Sequence, residues 1–462
     1  MIAKSEAVAV LADWLVPVDS DPVPDGVIVV EQGTIRFVGR TLPMAFQSIR
    51  LVRLPSFAIL PGLVNSHCHL EFSDLEAPIP TGESFPDWIR SVLAFRRSKY
   101  SHPEQLASNR QTAVASGIRE SYQAGVRWVV DMATEPWSAA WIENAVASIL
   151  ADSPSGFAPK EPVIVQPCFE LLDIIEHRFE ATLALAKKHM TAPKSNGLGR
   201  MGLAPHAPYT ASRKVTQCCA DMPREEHRLV TMHLAESREE LEWLQNRNGP
   251  FAELLGPIMG ETYFERIGQV TEHVELLSKA WRASIAHGNY LSQRDLLNLA
   301  EHAATMGVVH CPRTHQHFGH LHQGDPPLTP TNRYPLGERI GLGVRHFLGT
   351  DSRASNPDLN LWTEAKRVRA DQPALSSLQI LKMITTDAAE FLDIGDRYGS
   401  IRVGQPSALT AIKLGDAIPR DALLADRNKL YDALLEEVTV SAPLECVVLG
   451  KSNSNIRPTF GS

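Results

Sequence analysis

Eight short apolar runs, most of them separated by stretches of helical composition, constrain the fold of this 462-residue chain more than any other feature. Strands that alternate with helices form parallel sheets, and eight such units close a (β/α)8 barrel. An open doubly wound sheet is the competing α/β arrangement, but no glycine-rich phosphate loop follows the first run. We therefore predict a TIM barrel whose strands correspond to residues 58–65, 126–133, 163–170, 201–205, 229–236, 283–287, 307–312 and 343–351.

The two ends of the chain have β character without the helical stretches. Residues 27–40 contain two β-rich runs around Gln32-Gly33, a pattern typical of a hairpin. β-rich sequence returns after about residue 395. We predict that residues 1–58 and 395–462 together form a small β-sandwich, and that residues 59–394 form the barrel inserted between them.

Composition excludes several classes of protein. Lys and Arg total 45 against 53 for Asp and Glu, a net charge of −8, and no basic stripe of the kind that nucleic-acid binders carry is present. No apolar run approaches the roughly 18 residues that span a bilayer, and the N-terminus lacks the pattern of a secretory signal. Six cysteines without a CxxC pair suit reduced thiols. We expect a cytoplasmic protein that acts on a small molecule and binds neither nucleic acid nor membrane.

Polar side chains stand at the ends of four of the predicted strands. His67 and His69 follow the first, and a spacing of two residues directs both imidazoles to one side of a strand. By itself this pair could be two solvated histidines in a turn. Other groups end the fifth, sixth and eighth strands, at the face where barrel enzymes build their sites: His233, Glu236, His287 and Asp351.

The pair His233 and Glu236 needs a bend in the chain. Residues three apart in an ideal strand face opposite sides, so the two side chains converge only if the strand ends between them. Ser237, with Glu240 three residues later, has the pattern of a capping box that would start a helix there. The sequence thus predicts a strand end at this point.

Six segments, in order, carry a family resemblance: PGLVNSHCH, HAPYT, HLAES, AHGNYL, HCPRT and LGTDS. The chain resembles the metal-dependent amidohydrolase superfamily, in particular the aminohydrolase branch that contains cytosine, guanine and S-adenosylhomocysteine deaminases and the triazine hydrolases. One departure lies in GSIRVGQPS, where Ser407-Ala408 replaces the Ala-Asp usual in relatives. The resemblance implies that Glu236 moves protons, that His287 orients water or the leaving amine, and that one divalent metal is bound by His67, His69, His233 and Asp351.

The donor set and one absence bear on the metal. Three His and one Asp leave a coordination position open for water, which marks a catalytic rather than a structural site. Binuclear relatives bridge two metals with a carboxylated lysine after the fourth strand, whereas this chain has LAPHAPYT and no Lys until Lys214. We expect one metal per chain, with zinc favoured over iron or manganese. His206 of HAPYT then becomes a substrate contact, the alternative being a structural hydrogen bond.

The loop after the first strand bears on the substrate. Phe85 and Trp88 resemble the aromatic pair of the nucleoside deaminases in this branch, the alternative being that Trp88 only packs a helix on the barrel. Where S-adenosylhomocysteine deaminases carry a ribose-binding Glu, this chain has Arg97 beside Arg96. Together with Arg313 of HCPRT, Arg97 could bind an anionic group. The HLEFS opening of the loop and the paired arginines resemble a relative that deaminates 6-amino-6-deoxyfutalosine, an adenine nucleoside ending in a benzoate, and this resemblance implies that substrate. Exposed surface arginines are the alternative.

The function predicted from these residues is hydrolytic deamination at the amidine carbon of a purine nucleoside or related heterocycle, with release of ammonia. Alternatives are hydrolysis of another C–N or C–Cl bond, as in guanine deaminases and triazine chlorohydrolases, and a non-catalytic barrel scaffold. Residues 315–322, HQHFGHLH, are predicted to form a loop over the site, with His317 or His320 touching substrate or simply solvated. A homodimer is expected from the family resemblance alone.

Overall fold

The structure is a computed structural model that describes residues 7–99, 103–152, 157–174, 179–191, 195–222, 224–259, 263–319, 334–415, 420–436 and 439–448.

The N-terminal segment forms four strands of a sheet that lies outside the barrel. The hairpin predicted at Gln32-Gly33 is confirmed, and both of its turn residues have positive φ. The four strands are β1 Val8–Leu15, β2 Val23–Glu31, β3 Thr34–Gly39 and β4 Arg50–Pro61.

Eight parallel strands then follow one another around a barrel, as predicted. The first begins at Leu63 rather than within the run from residue 58, because Phe57–Pro61 pair with strands of the other sheet. The backbone N–H of Asp351 donates to the carbonyl of His67 at 3.1 Å and brings the eighth strand to the first. The strands are β5 Leu63–Cys68, β6 Val126–Ala133, β7 Ile164–Leu171, β8 Gly202–Pro205, β9 Leu229–Leu234, β10 Arg282–His287, β11 Met306–His310 and β12 His346–Leu348.

The C-terminal segment returns to the first sheet, which confirms that the two ends of the chain fold together. β13 Leu409–Lys413 pairs with β4, and β14 Val440–Pro443 pairs with β13. The result is one mixed six-stranded sheet in the order β14-β13-β4-β1-β2-β3. Its parallel pair, β1 with β4, is possible because a long connection separates the two strands.

The helices surround the barrel and cover its ends. Two of them, α1 and α2, fill the long loop after the first barrel strand. No helix in the described ranges is both long and apolar enough to cross a membrane. The helices are α1 Phe85–Lys99, α2 Pro103–Gln123, α3 Ala139–Ala151, α4 Phe179–Met190, α5 Arg213–Ala220, α6 Arg238–Asn246, α7 Pro250–Leu255, α8 Tyr263–Arg266, α9 Val270–Leu277, α10 Gln293–Glu301, α11 Pro312–Phe318, α12 Leu336–Gly341, α13 Leu361–Asp371, α14 Ser377–Met383, α15 Thr386–Phe391, α16 Arg420–Ala425, α17 Arg427–Leu434 and α18 Leu444–Val448.

The interior of the barrel is packed rather than hollow. Alternate residues of the strands face the lumen, where they form one apolar cluster, while their neighbours pack outward against the helices. Along β7 this alternation directs Ile164 and Cys168 inward and Phe169 outward. Because this apolar cluster fills the lumen, a site can form only at the C-terminal ends of the strands. The strand residues of the cluster include Val64, Val130, Cys168, Ala204, Leu229, Val309 and Phe347.

A buried ion pair joins the barrel to the C-terminal helix. Arg127 of β6 and Glu445 of α18 are both completely buried, and two guanidinium nitrogens donate to the two carboxylate oxygens at 2.7 and 2.6 Å. The Tyr122 hydroxyl donates to the same carboxylate at 3.0 Å. Removing one partner of such a pair leaves a buried charge uncompensated.

We predict that Glu445→Gln lowers the free energy of unfolding by about 3 kcal/mol, because the charge of Arg127 would remain buried without its counter-ion. Urea unfolding measured by circular dichroism is the appropriate test. The control is Asp21→Asn, which removes the carboxylate of an exposed pair with Arg427 and should change stability by less than about 1 kcal/mol. Equal unfolding midpoints for Glu445→Gln and the parent would contradict this view of the interface.

Candidate active site

Four histidines and one aspartate converge at the C-terminal end of the barrel. The Nε2 atoms of His69 and His233 lie 3.1 Å apart. Asp351 Oδ1 lies 3.5 Å from His69 Nε2 and 3.7 Å from His67 Nε2. The His287 ring is 5.5 Å from that of His67, centre to centre. The residues predicted from the ends of β5, β9, β10 and β12 therefore come together in space.

These spacings fit a single divalent cation. A tetrahedral ion with ligand distances of 2.0–2.1 Å holds its ligand atoms about 3.3–3.4 Å apart. The three shortest separations, 3.1 to 3.7 Å, bracket that value, and ligand atoms of His67 and His233 also lie within 4.8 Å of each other. His67 is fully buried, and neither of its ring nitrogens has a hydrogen-bond partner among the described residues. A cation between the rings would satisfy its Nε2, so these donors fit the metal that the sequence implies.

The imidazoles are held in the neutral form that binds metals. Burial, followed by repulsion from neighbouring histidines, moves the pKa of His67 and His69 well below the ordinary value. The pKa of His233 is lowered by the same burial. His233 Nδ1 donates to the carbonyl oxygen of His206 at 3.1 Å, which fixes the tautomer and leaves the Nε2 lone pair free to ligate.

A strained bend brings Glu236 to the cluster. Ala235 has a φ of 53°, so the chain turns sharply after β9 and the side chains of His233 and Glu236 reach the same space. The predicted helix start is confirmed in part, since Ser237 Oγ accepts from the Glu240 backbone N–H. The Glu240 carboxylate accepts instead from the backbone N–H groups of Ala235 and Glu236, at 3.0 and 2.8 Å, and so fixes the bend itself.

Two other residues at the site also lie in the left-handed region of backbone conformation. His287 has a φ of 64° and Asp351 one of 54°. Such strain is retained where the surrounding structure holds it, commonly at functional sites. The Asp351 side chain is held as well, because Ser355 Oγ donates to its Oδ2 at 2.9 Å. Its Oδ1 is left to face His67 and His69.

Glu236 is a buried carboxylate placed to exchange protons. Its Oε1 lies 3.5 Å from His287 Nε2, and its backbone carbonyl accepts from the Asn289 side chain at 2.9 Å. Burial, and then the nearby negative charge of Asp351, raises the pKa of Glu236 well above the ordinary value. A carboxyl group with a raised pKa beside a metal-ligating cluster has the chemistry of a general acid and base.

Trp88 belongs to an aromatic group between the loop after the first barrel strand and α11. Its indole N–H donates to the Ala354 carbonyl at 3.4 Å, just beyond Asp351. The rings of Phe85 and Phe318 lie 5.7 and 4.9 Å from it, centre to centre. These contacts describe a residue that packs a helix on the barrel, and the role of Trp88 as a substrate contact stays a prediction.

His206 stands beside the cluster at the end of β8, with its ring 5.2 Å from that of His233. His206 Nδ1 lies 2.6 Å from Thr210 Oγ1, and this hydrogen bond holds the ring in place. Burial lowers the pKa of His206 to about 4. The ring is therefore neutral, and Nε2 is the nitrogen left to contact a substrate.

The structure assigns the two predicted substrate arginines to other places. Arg313 donates to Glu364 at 2.6 Å and to Asp358 at 2.7 Å, with only a tenth of its side chain exposed. These contacts commit its guanidinium to packing α11 against α13, so this geometry does not support a substrate role. Arg97 is exposed on α1.

Arg96 is the arginine of α1 that is directed toward the barrel mouth. It lies over the Phe72 ring at 5.0 Å and is paired with the buried carboxylate of Glu71. Its positive charge is among the causes that lower the pKa of His69 and His206. Arg110 also contacts Glu71, at 2.8 Å. This charged wall was missed because sequence spacing does not show which of two adjacent arginines faces inward.

Glu170, at the end of β7, was also missed. It forms one set of convergent ligand atoms with His69 and His233, all within 4.8 Å of one another. The signal was present, because Glu170 is the last residue of the predicted third strand, just as the other site residues end theirs. In the predicted loop over the site, His317 contacts the Ile79 carbonyl at 3.0 Å, and His320 lies outside the described residues.

Known proteins resemble this chain over most of its length. A curated 5-methylthioadenosine/S-adenosylhomocysteine deaminase of Pyrococcus furiosus is 27% identical over 398 residues, covering 84% of this chain and 82% of the relative. The crystal structure of Helicobacter pylori aminofutalosine deaminase with methylthio-coformycin superimposes with a TM-score of 0.70 at 20% identity, covering 94% and 97% of the two chains.

A structure from a second branch has the same fold. An atrazine chlorohydrolase from Arthrobacter aurescens, complexed with zinc, gives a TM-score of 0.68 at 18% identity and covers 98% of this chain and 97% of its own. The Amidohydrolase family model matches residues 58–451, which contain the whole barrel and the convergent histidines. The resemblance predicted from the six motifs is confirmed, and the chain belongs to the amidohydrolase family.

Proposed function

We propose that this protein is a metal-dependent hydrolytic deaminase that acts on the amidine carbon of a purine nucleoside or a related heterocycle and releases ammonia. The observation that carries the proposal is the position of Glu236, a buried carboxylate 3.5 Å from His287 at the edge of the ligand cluster. Deamination needs a group that takes a proton from water and returns it to the substrate, and Glu236 is placed for both transfers.

His67, His69, His233 and Asp351 would hold one divalent metal, with zinc the favoured ion. Nitrogen and carboxylate donors at this spacing suit zinc, and three neutral imidazoles with one carboxylate leave a position open. When bound, the ion supplies Lewis acidity that lowers the pKa of water toward 7. The absence of a lysine at the end of β8 supports a count of one ion.

The residues of the chain then divide the reaction between them. Glu236 takes a proton from water and delivers it to a ring nitrogen of the substrate. The water oxygen bonds to the adjacent ring carbon. The C–N bond then breaks as the amine takes the second proton of that water and leaves as ammonia. Asp351, held by Ser355, orients the attacking water. His287, whose pKa burial lowers to about 3, stays neutral and orients the water or the leaving amine.

Aromatic side chains favour a flat heterocycle as substrate. Phe85, Trp88 and Phe318 form a group whose ring centres are 4.9 to 5.7 Å apart. Aromatic faces bind purine rings by stacking, and closure by such a group excludes bulk water from the reacting carbon. The nucleoside deaminases among the similar proteins support the same substrate class.

6-Amino-6-deoxyfutalosine is our candidate substrate within this class. The similarity to an aminofutalosine deaminase supports it. Arg96, rather than Arg97 or Arg313, is the cation placed to meet its carboxylate, and Glu71 already offsets part of that charge. The preference for an acidic substrate should therefore depend on Arg96.

A cytoplasmic location fits the cysteines. All six lie within the described residues and none forms a disulfide, and Cys68, Cys168, Cys219 and Cys311 are buried. Free thiols persist in reducing compartments, whereas secreted proteins usually pair them.

We predict that Glu236→Gln retains its metal but loses turnover by about 10²- to 10⁴-fold, because an amide cannot accept the proton of water. Steady-state kinetics together with metal analysis of the same sample test this. Glu301→Gln, which removes an exposed carboxylate at the end of α10, serves as the control and should leave both values unchanged. Turnover by Glu236→Gln within about threefold of the parent would remove Glu236 from the mechanism.

The proposed function is tested by ammonia release from a panel of adenosine, S-adenosylhomocysteine, 6-amino-6-deoxyfutalosine and its methyl ester. We expect one ammonia per product from at least one nucleoside. If the acid is preferred over its ester, Arg96→Ala should reduce that preference by roughly 10- to 150-fold, the equivalent of one charge-assisted hydrogen bond.

Arg313→Ala is the matched control in the same panel. It should lower thermal stability, because Glu364 would lose its partner, and leave the preference for the acid unchanged. Chloride release from a chlorotriazine without ammonia from any nucleoside would refute the proposed function. A preference for the acid that Arg313→Ala abolishes and Arg96→Ala preserves would refute only the assignment of Arg96.

A further inference from the structure

Glu170 lies inside the mouth of the barrel and has no role in the reaction described above. It is the next-to-last residue of β7, on the side of the strand that faces the lumen, in line with Ile164, Gln166 and Cys168. The residue is half-buried, but one carboxylate oxygen, Oε1, is inaccessible to solvent and has no hydrogen-bond partner among the described residues. This oxygen is therefore a buried acceptor without a donor, close to His69 and His233.

The neighbouring carboxylates differ from Glu170 because each has a cation or a backbone N–H as a partner. Glu71 is paired with Arg96 and Arg110. Asp131 accepts from the Leu70 backbone N–H at 2.9 Å. Glu240 accepts from two backbone N–H groups. A buried acceptor that lacks a partner is costly, and such groups in native sites commonly find their partner in a bound ligand.

A metal ion is the first partner to consider, since Glu170 lies near His69 and His233. Asp351, however, converges with His67 and His69, and Glu170 does not belong to that set. The four proposed ligands already supply three nitrogens and one oxygen. A fifth protein ligand would take the position that water needs in a catalytic site. The partner of Glu170 is therefore better sought on the substrate.

The place of Glu170 in the barrel agrees with this. Its strand, β7, is followed by β8, whose end carries the substrate-contact candidate His206. Glu236 and His287 come from β9 and β10, farther around the barrel. Glu170 and His206 thus form a wall on the β7–β8 side of the ligand cluster, whereas Glu236 and His287 stand on the β9–β10 side. The part of a substrate that does not react would lie along this wall.

We propose that Glu170 is a specificity-determining contact that accepts a hydrogen bond from an O–H or N–H donor on the non-reacting part of the substrate. This inference rests on the proposed deaminase function. In a nucleoside the donor comes from one of two sources, a sugar hydroxyl or an amino group on the base. Carboxylates at nucleotide sites commonly accept from ribose hydroxyls, and a charged acceptor discriminates strongly against an analogue that lacks the donor.

The test measures kcat/KM for substrates that differ by one donor. Adenosine against 2′-deoxyadenosine and 3′-deoxyadenosine tests the sugar, and 2,6-diaminopurine riboside against adenosine tests the base. The parent should prefer the donor-bearing member of at least one pair by roughly 10- to 150-fold. Glu170→Leu should bring that ratio to within about threefold of one, and Glu170→Gln, which keeps an acceptor oxygen, should lie between them.

Two controls separate this role from a structural or metal-binding one. Gln166→Leu alters the same strand deeper in the lumen, where Gln166 accepts from the Trp128 indole, and should leave the ratio unchanged. Metal content should stay at the parent value in both Glu170 variants. Loss of metal would overturn the inference and make Glu170 a ligand, and equal losses of kcat/KM on every substrate would overturn it as well. If the parent deaminates no nucleoside, the proposed function fails and the inference falls with it.

Discussion

The close approach of His69 Nε2 to His233 Nε2 is the interaction on which the rest of this site depends. Two buried imidazoles that direct nitrogens at each other across 3.1 Å need a proton or a cation between them. His233 already donates its Nδ1 proton to the His206 carbonyl, so its Nε2 carries a lone pair. Burial lowers the pKa of both rings, so neither carries a second proton. A divalent cation bound by the lone pairs of both Nε2 atoms fits these conditions.

The fold produces this arrangement through strained backbone conformations, which hydrogen bonds from residues around the cluster hold in place. Three residues with positive φ, Ala235, His287 and Asp351, end their strands abruptly and direct side chains inward. Each turn has its own support: Glu240 binds the backbone after β9, and Ser355 holds Asp351. Arg339 donates to the carbonyl of Gly288 at 2.7 Å, immediately beyond His287. The geometry of the cluster is thus fixed by groups that do not belong to the cluster.

The sequence predicts the barrel and the convergent residues well because both follow from local rules. Apolar runs mark strands, and the last polar residue of each run lies at the catalytic face. The same rule identifies Glu170, which ends the third run. The start of the first barrel strand was harder to predict from the sequence. Residues 58–65 are one apolar run, yet Phe57–Pro61 pair with β13 and the barrel begins only at Leu63. Local sequence carries no sign of that partner, which lies more than 300 residues away.

The arginines show where sequence reasoning stops. Arg313 follows a barrel strand and so resembles an anion-binding residue, but Glu364 and Asp358, far along the chain, bind its guanidinium. Of the adjacent pair on α1, Arg96 faces the site and Arg97 faces solvent. Which of two adjacent helix residues faces the barrel is decided by how the helix packs. Which carboxylates pair with an arginine depends on residues that are distant in sequence and come close only in the fold.

The most direct test of this account is a crystal structure of the zinc-loaded protein with anomalous scattering recorded at the zinc edge. We predict one ion per chain, in contact with Nε2 of His67, His69 and His233 and with the Asp351 carboxylate, at about 2.0–2.2 Å. Glu170 should remain outside the coordination sphere. Two ions at the barrel mouth, or one ion that binds Glu170 instead of Asp351, would contradict the account.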